Sequence, residues 1–227
     1  MRITYLGQAG LLFETEDQKI LIDPYLSDSV SKIQPQNYRR IPVDESFLNI
    51  KPDVILITHS HADHLDKETL CHYLGENSAV TVLAPRVAWQ ELRTFGGMKN
   101  NYVLFNVGTE WSEGRVPFFA VNAEHSDEHA IGVILGIEGK NYYVTGDTLY
   151  NERVFSSLPD VPIEVLFLPI NGVGNNMNFA EAERFSRRIG AKYTVPYHIG
   201  MFDEISADGF CAQNKIIPEI YKTIEFY

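Results

Sequence analysis

The chain has 227 residues, with 19 Lys and Arg against 30 Asp and Glu, for a formal net charge of −11 at pH 7. That length suits one domain with a substantial core, expected to span 1–227. An acidic chain without a basic tract opposes non-specific nucleic-acid binding, and apolar runs such as 165–170 are far too short to span a membrane. The opening MRITYLGQAG lacks the apolar block of a secretion signal, so a cytoplasmic location is expected.

RITYL, LLFET and KILIDP read as antiparallel strands broken at Gly7, Gly10 and the EDQ stretch. Residues 26–49 are largely polar, contain Pro35, Pro42 and the Tyr38-Arg39-Arg40 cluster, and read as a long functional loop. Strand and helix then alternate. DVILIT is an apolar strand, and DKETLCHYLG is a helix with Leu70, Tyr73 and Leu74 on one face and Gly75 as its stop. AVTVLA is a strand, and PRVAWQELRTF is a helix with Pro85 at its first position. PFFAVNA, AIGVILGIE and NYYVTGD return to sheet, with a hairpin at 139–141.

EVLFLPI is a further strand, NFAEAERFSRRIG a helix with Asn178 and Glu181 spaced as a capping box, and KYTVPYHIG a strand ending in His198. One more helix is expected before the TIEFY tail. Two stretches thus each run from antiparallel strands into strand-helix alternation, which predicts an α/β fold, a four-layer αββα sandwich. Cys71 and Cys211 form no C-x-x-C pair and are expected to be ordinary buried or half-buried thiols. Trp89, Trp111, Tyr142 and Tyr143 are assigned to core or interface, and His72 to the surface.

Chemistry concentrates in THSHADHLD, where the spacing H-x-H-x-D-H places His59, His61, Asp63 and His64 directly after a buried strand. Alternation points His59 and His61 the same way, while Asp63 and His64 turn toward a neighbouring position, so two adjacent metal pockets can share one loop. Imidazole and carboxylate suit zinc, iron or manganese, and one loop cannot complete either shell. Three further candidate ligands stand where apolar strands run out: His125 after FFAVNAE, Asp147 in TGDT and His198 after YTVPY. His129 competes with His125, which the A-x-H-S context favours. The competing readings are a helix-capping loop for the cluster, a turn Asp for Asp147 and a carbonyl-bonded buried imidazole for His198.

The set HSHADH, AEHS, TGDT and PYHIG, in this order and preceded by LIDP, resembles the metallo-β-lactamase superfamily of dinuclear metal hydrolases, over nearly the whole chain. LIDPYLSD, AEHSDEHAIG, TGDTLYN and LPINGVGNNMNFAEA most resemble its lactonase-like branch, which includes the L-ascorbate-6-phosphate lactonases and related metal-dependent hydrolases. The resemblance implies two divalent ions, zinc or manganese with iron as a third choice. It implies that His59, His61 and His125 hold one, that Asp63, His64 and His198 hold the other, and that Asp147 bridges them. Asp23 in LIDP would orient one imidazole from behind, or else simply form the turn before Pro24.

Two divalent ions sharing a water bring its pKa from about 15.7 toward about 7, which makes a hydroxide nucleophile available at neutral pH. Asp63 and His198 are the candidate catalytic residues, with Asp63 orienting the nucleophile. Arg39 and Arg40 are candidates for binding an anionic group, against a solvated surface pair. Asn175 and Asn176, in NGVGNNMN, are candidates for an anion cradle at a helix start, against a plain turn. The function that the resemblance implies is hydrolysis of a lactone or ester of a small anionic substrate, of the phosphorylated sugar-acid kind. The alternatives are a phosphodiesterase acting on nucleic acid or a phospholipid head group, and a metal-holding binding protein without turnover. No nucleic-acid or membrane partner is expected, and a homo-oligomer is left open.

Overall fold

A computed structural model describes residues 1–227. β1 (Arg2–Gly7), β2 (Gly10–Glu14) and β3 (Lys19–Ile22) form an antiparallel meander. β4 (Val54–Leu56), β5 (Thr81–Ala84) and β6 (Asn101–Leu104) extend it in parallel, in the spatial order β1-β2-β3-β4-β5-β6. The parallel joins require crossovers, and α1 (Lys67–Tyr73) and α2 (Arg86–Phe95) supply two of them.

The second sheet repeats the scheme. β7 (Glu110–Glu113), β8 (Val116–Asn122), β9 (Ile131–Ile137) and β10 (Lys140–Val144) are antiparallel, and β11 (Val165–Pro169) and β12 (Tyr193–Tyr197) follow in parallel. α3 (Glu152–Ser156) and α4 (Phe179–Ile189) lie in its crossovers. α4 begins at the expected capping box, Asn178 with Glu181, and ends at Gly190 with φ of 66°, a left-handed cap that suits glycine.

Side-chain alternation explains why these strands read as continuous apolar runs. Leu11, Phe13, Ile20, Ile22, Val54 and Leu56 point between the sheets, where they meet Val133, Leu135, Val165 and Phe167. Leu12, Leu21 and Ile55 point the other way, onto Leu70, Leu74, Ala88 and Leu92 of the first helical layer. Tyr143, Leu166 and Leu168 likewise meet Ala182 and Phe185 of α4. Both faces of each sheet are covered, which gives the expected α-β-β-α layering. Phe13 joins the two sheets edge-on to Tyr142 and Phe167, each at 5.9 Å between ring centroids.

Several expectations need correction. β6, β7 and α3 carry half-exposed sequences without a clean period, and the sequence reading passed over them. The 26–49 loop contains 3-10 turns at Val30–Lys32 and Glu45–Asn49. Pro85 caps α2 from outside rather than opening it. No helix forms after β12 beyond the 3-10 turn Ala207–Gly209. Instead the tail satisfies its backbone along two free sheet edges. Ile216 N–H donates to Thr194 O at 2.9 Å beside β12, and Ile224 N–H donates to Ile3 O at 2.8 Å beside β1.

Cys71 and Cys211 are both exposed, against expectation. Cys71 falls between Leu70 and Tyr73 on α1 but a full helical step off their buried face. His72 is exposed as expected, and Trp89 is half-buried with its indole N–H donating to Tyr102 O at 3.0 Å. No helix is long and apolar enough to cross a membrane.

Candidate metal centre

The chain leaves β1, β3, β4, β8, β10, β11 and β12 at one edge of the sandwich, and each exit supplies a polar residue to one cluster. Four exits need unusual backbone: Gln8, Asp23, Gly146 and His198 have φ of 52°, 43°, 62° and 62°. Left-handed backbone at non-glycine residues is costly, and it persists where surrounding structure holds it. His198 is held through its N–H, which donates to Gln8 O at 2.8 Å. Gly146 lies so close to Ile131 O that an added Cβ would come within 2.7 Å of it, so Asp147 enters the site over a position that only glycine fills.

The HSHADH segment is shaped by its neighbours. His64 and Leu65 both donate backbone N–H groups to His61 O, at 3.0 and 2.7 Å, a tight turn that brings Asp63 and His64 around to a second position. Asp66 ends the segment as the N-cap of α1, accepting from the N–H groups of Glu68 and Thr69. Asp127 braces the first half by accepting from Ser60 N–H at 3.0 Å and Ser60 O–H at 2.7 Å. Those bonds, with one from His129 N–H, hold the Asp127 carboxyl below the usual carboxylate range despite partial burial.

Three donor groups result: His59 with His61 and His125; His59 with His64 and Asp147; and Asp63 with His64 and His198, the donor atoms of each lying within 4.8 Å of one another. The His59, His61 and His125 rings form a triangle with centroid separations of 4.7, 4.6 and 4.7 Å. His198 Nε2 lies 3.3 Å from Asp63 Oδ2 and 3.2 Å from Asp147 Oδ2. The seven residues singled out in the sequence therefore converge, and His129 stands outside all three groups. Asp23 sits directly behind: its Oδ2 accepts from His64 Nδ1 at 2.8 Å and from Thr58 O–H at 2.5 Å, and its Oδ1 accepts from Thr58 N–H at 2.8 Å.

Electrostatics separates the imidazoles. Burial, reinforced by His64, drives His59 well below the ordinary histidine range, and burial lowers His125 as well, so both present neutral nitrogens. Burial alone would also lower His64 and His198. The carboxylates of Asp147 and Asp63 outweigh it, raising His64 well above its usual value and His198 to about 10. Asp63 and Asp147 respond in kind: burial would raise both, and the two imidazolium rings pull both down. Protons on His64 and His198 thus offset buried negative charge where a cation would do the same.

The residues fit a divalent metal. Nitrogen and oxygen donors of this kind suit zinc, manganese or iron. His59 Nε2 and Asp147 Oδ1 are buried polar atoms without a hydrogen-bond partner, which is costly unless something else satisfies them.

Two contributors, Gln8 and Asp127, carry no assignment in the sequence, and two more, Asn171 and Gly174, lie in the NGVGNNMN stretch read there as an anion cradle. Gln8 donates from Nε2 to Asp63 Oδ2 at 2.7 Å, and its only sequence signal is a polar residue between glycines at a strand end, GQAG. Asn171 Nδ2 lies 3.1 Å from His198 Nδ1, and Gly174 O lies 3.0 Å from His125 Nε2. Asp127 had no signal beyond its place between two histidines.

The expected substrate contacts are placed otherwise. Arg39 commits its guanidinium to Ile41 O and Tyr25 O, at 2.7 and 2.6 Å, and to the Tyr221 hydroxyl, tying the loop to the tail. Arg40 stacks over Tyr38 and pairs with Glu204 at 3.3 Å. Neither lines the cleft above the donors. Asn175 is exposed and does not line it either, whereas Asn176 donates to Asp147 Oδ2 at 2.9 Å and accepts from Thr148 N–H at 3.1 Å. The anion cradle is closed because Glu181 and Asn178 cap α4 and the N–H groups of Gly172, Asn176 and Met177 bond within the turn or to Thr148.

Two facing sheets with helices outside and a His/Asp cluster across the strand ends define a metallo-β-lactamase fold. The family model described as the β-lactamase superfamily domain matches residues 18–199, and the chain belongs to the metallo-β-lactamase superfamily. It is similar to a "UPF0173 metal-dependent hydrolase" of Carboxydothermus hydrogenoformans, 30% identical over 226 residues that cover 92% of this chain and 88% of the other. A protein of the same name from Geobacillus thermodenitrificans is 31% identical over 230 residues, covering 92% and 89%. A metallo hydrolase from the archaeon Ignicoccus hospitalis shares the fold, with a TM-score of 0.76 at 20% identity over 100% of this chain and 99% of that one.

Proposed function

We propose that the chain is a metal-dependent hydrolase that holds two divalent ions, zinc or manganese, and cleaves a lactone or ester bond in a small substrate. The observation that carries this reading is the convergence of seven donors into overlapping groups around Asp147. The similarity to proteins named metal-dependent hydrolases supports it. His59, His61 and His125 would hold one ion, Asp63, His64 and His198 the other, and Asp147 would lie between them. Such ions supply Lewis acidity toward a carbonyl oxygen and bring the pKa of water into the neutral range.

The chain's own groups complete the site. Gln8 pins Asp63 Oδ2 at 2.7 Å, and Asp63 lines the cleft, where its carboxylate would orient a water and receive its proton. Asn176 fixes Asp147, and Asp23 fixes His64, so the donors are set before a substrate arrives. The test is elemental analysis of protein purified without chelator, followed by a panel of lactone, ester, thioester and phosphodiester substrates with manganese or zinc added. About two metals per chain with lactone or ester turnover is the expected result. A chain that takes up metal and stays inert on the panel overturns hydrolysis in favour of a binding role.

A further inference from the structure

The cleft above the donor cluster has a volume of about 620 Å³, and no lysine or arginine lines it. The cations on the segment that carries Val30, Gln34 and Asn37 have partners of their own: Arg39 with the backbone and Tyr221, Arg40 with Glu204, and Lys32 with Glu68. Apart from the residues of the donor cluster, the acidic side chain in its lining is Asp203, whose Oδ1 accepts from Gly200 N–H at 2.9 Å and Ile205 N–H at 3.0 Å. Beyond the metal site, a phosphate or carboxylate extending toward Asp203 would meet a like charge, and no lysine or arginine lines the cleft to offset it.

A pair of carboxamides also lines the cleft. Asn37 Nδ2 donates to Gln34 Oε1 at 2.7 Å, and Asn37 N–H donates to Gln34 O at 2.8 Å across a turn that contains Pro35. The side-chain bond uses one donor and one acceptor of the pair, so Gln34 Nε2 and Asn37 Oδ1 remain for a ligand. Reversing both amides leaves one donor and one acceptor free all the same. Val30, Val173 and Phe202 supply apolar lining of the same cleft, with Phe202 held edge-on to buried Tyr25 at 5.5 Å.

We infer that the substrate carries an uncharged amide-like group, one acceptor and one donor with apolar flanks, that binds Gln34, Asn37, Val30, Val173 and Phe202, rather than a phosphate or carboxylate. This rests on the ester or lactone hydrolase reading of the same site, in which water adds across the acyl–oxygen bond to give an acid and an alcohol. It replaces the phosphorylated sugar acid implied by the lactonase-like resemblance.

Two matched esters test it on the metal-loaded protein: p-nitrophenyl N-acetylglycinate, which carries an amide, and mono-p-nitrophenyl succinate, which carries a carboxylate at similar reach. The amide ester should be preferred in kcat/KM by about tenfold or more, what two neutral hydrogen bonds supply. Gln34→Leu combined with Asn37→Leu should bring the ratio near unity at unchanged metal content, and Gln34→Lys should move it toward the succinate ester. Preference for the succinate ester in the parent protein, or a ratio that these variants leave unmoved, overturns the inference. If neither ester is cleaved, the hydrolase reading is decided by the wider panel, and binding decides the inference. N-acetylglycinamide titrated into zinc-loaded, ¹⁵N-labelled protein should then shift the Gln34 and Asn37 side-chain amide signals, and succinate should not. Signals unmoved by the amide, or moved by succinate at lower concentration, overturn it.

Discussion

Asp23→Asn changes a charge and a donor pattern without changing shape. Asp23 is fully buried at φ of 43°, a backbone that Asn adopts as readily as Asp. Its Oδ2 accepts from His64 Nδ1 at 2.8 Å, which fixes that proton on Nδ1 and turns Nε2 toward Asp147 and Asp63, at 3.3 and 3.7 Å. An asparagine that keeps the Thr58 N–H bond at Oδ1 places an NH₂ where Oδ2 stood. His64 Nδ1 must then accept, and a neutral ring carries its proton on Nε2, the atom that would bind metal. Loss of such an orienting partner typically costs about 10–100-fold in metal affinity, or about 1.4–2.7 kcal/mol. Competition against a chromogenic chelator measures the affinity, and ¹⁵N chemical shifts of His64 in the zinc-loaded protein, where the ring is neutral, report the tautomer. An affinity within about threefold of the parent, well short of the typical loss, together with Nδ1 still protonated, would refute the argument that Asp23 sets the ligand from behind.

His61→Ala removes an exposed ring that packs no core, so the melting temperature should hold while hydrolysis falls by about 100-fold or more, beyond the usual loss of a mere supporting residue. Gly146→Ala forces a Cβ to within 2.7 Å of Ile131 O at φ of 62°, so differential scanning calorimetry should show a clear loss, at about 2–4 °C per kcal/mol for a chain of this size, accompanied by weaker metal binding through Asp147. In the metal-free chain His198, raised to about 10, and His64, raised well above its usual range, are both protonated at pH 7. A metal requires neutral rings, so loading should release about two protons and apparent affinity should climb with pH; calorimetry in buffers of different ionisation enthalpy measures this, and no dependence on buffer would contradict it.

Part of this molecule is legible one segment at a time. LLFET and KILIDP predict β2 and β3 because both faces of these strands are covered and nearly every side chain is apolar. The capping box at Asn178 is a local hydrogen-bond pattern and holds in the structure. The donor residues stand out because few segments place three histidines and two aspartates directly after a buried strand. β6 and β7 did not stand out, since their residues are only partly buried and pairing with β5 and β8 makes them strands. The same holds for the tail, whose extended form depends on the open edges of β1 and β12.

The sequence by itself determined the layers, the strand-end positions of the candidate ligands and their chemical types, because period, capping and side-chain identity are local properties. Only the tertiary structure decided what surrounds them. Gln8 meets Asp63 across 55 residues and Asn176 meets Asp147 across 29, and no spacing rule connects such pairs. Arg39 and Arg40 carry the chemistry of anion binding wherever they stand, yet the fold turns one onto Tyr25 O and Tyr221 and the other onto Glu204, and leaves the paired amides of Gln34 and Asn37 to line the cleft. A side chain's capacity is written in its type, but its partner is set by how distant strands pack.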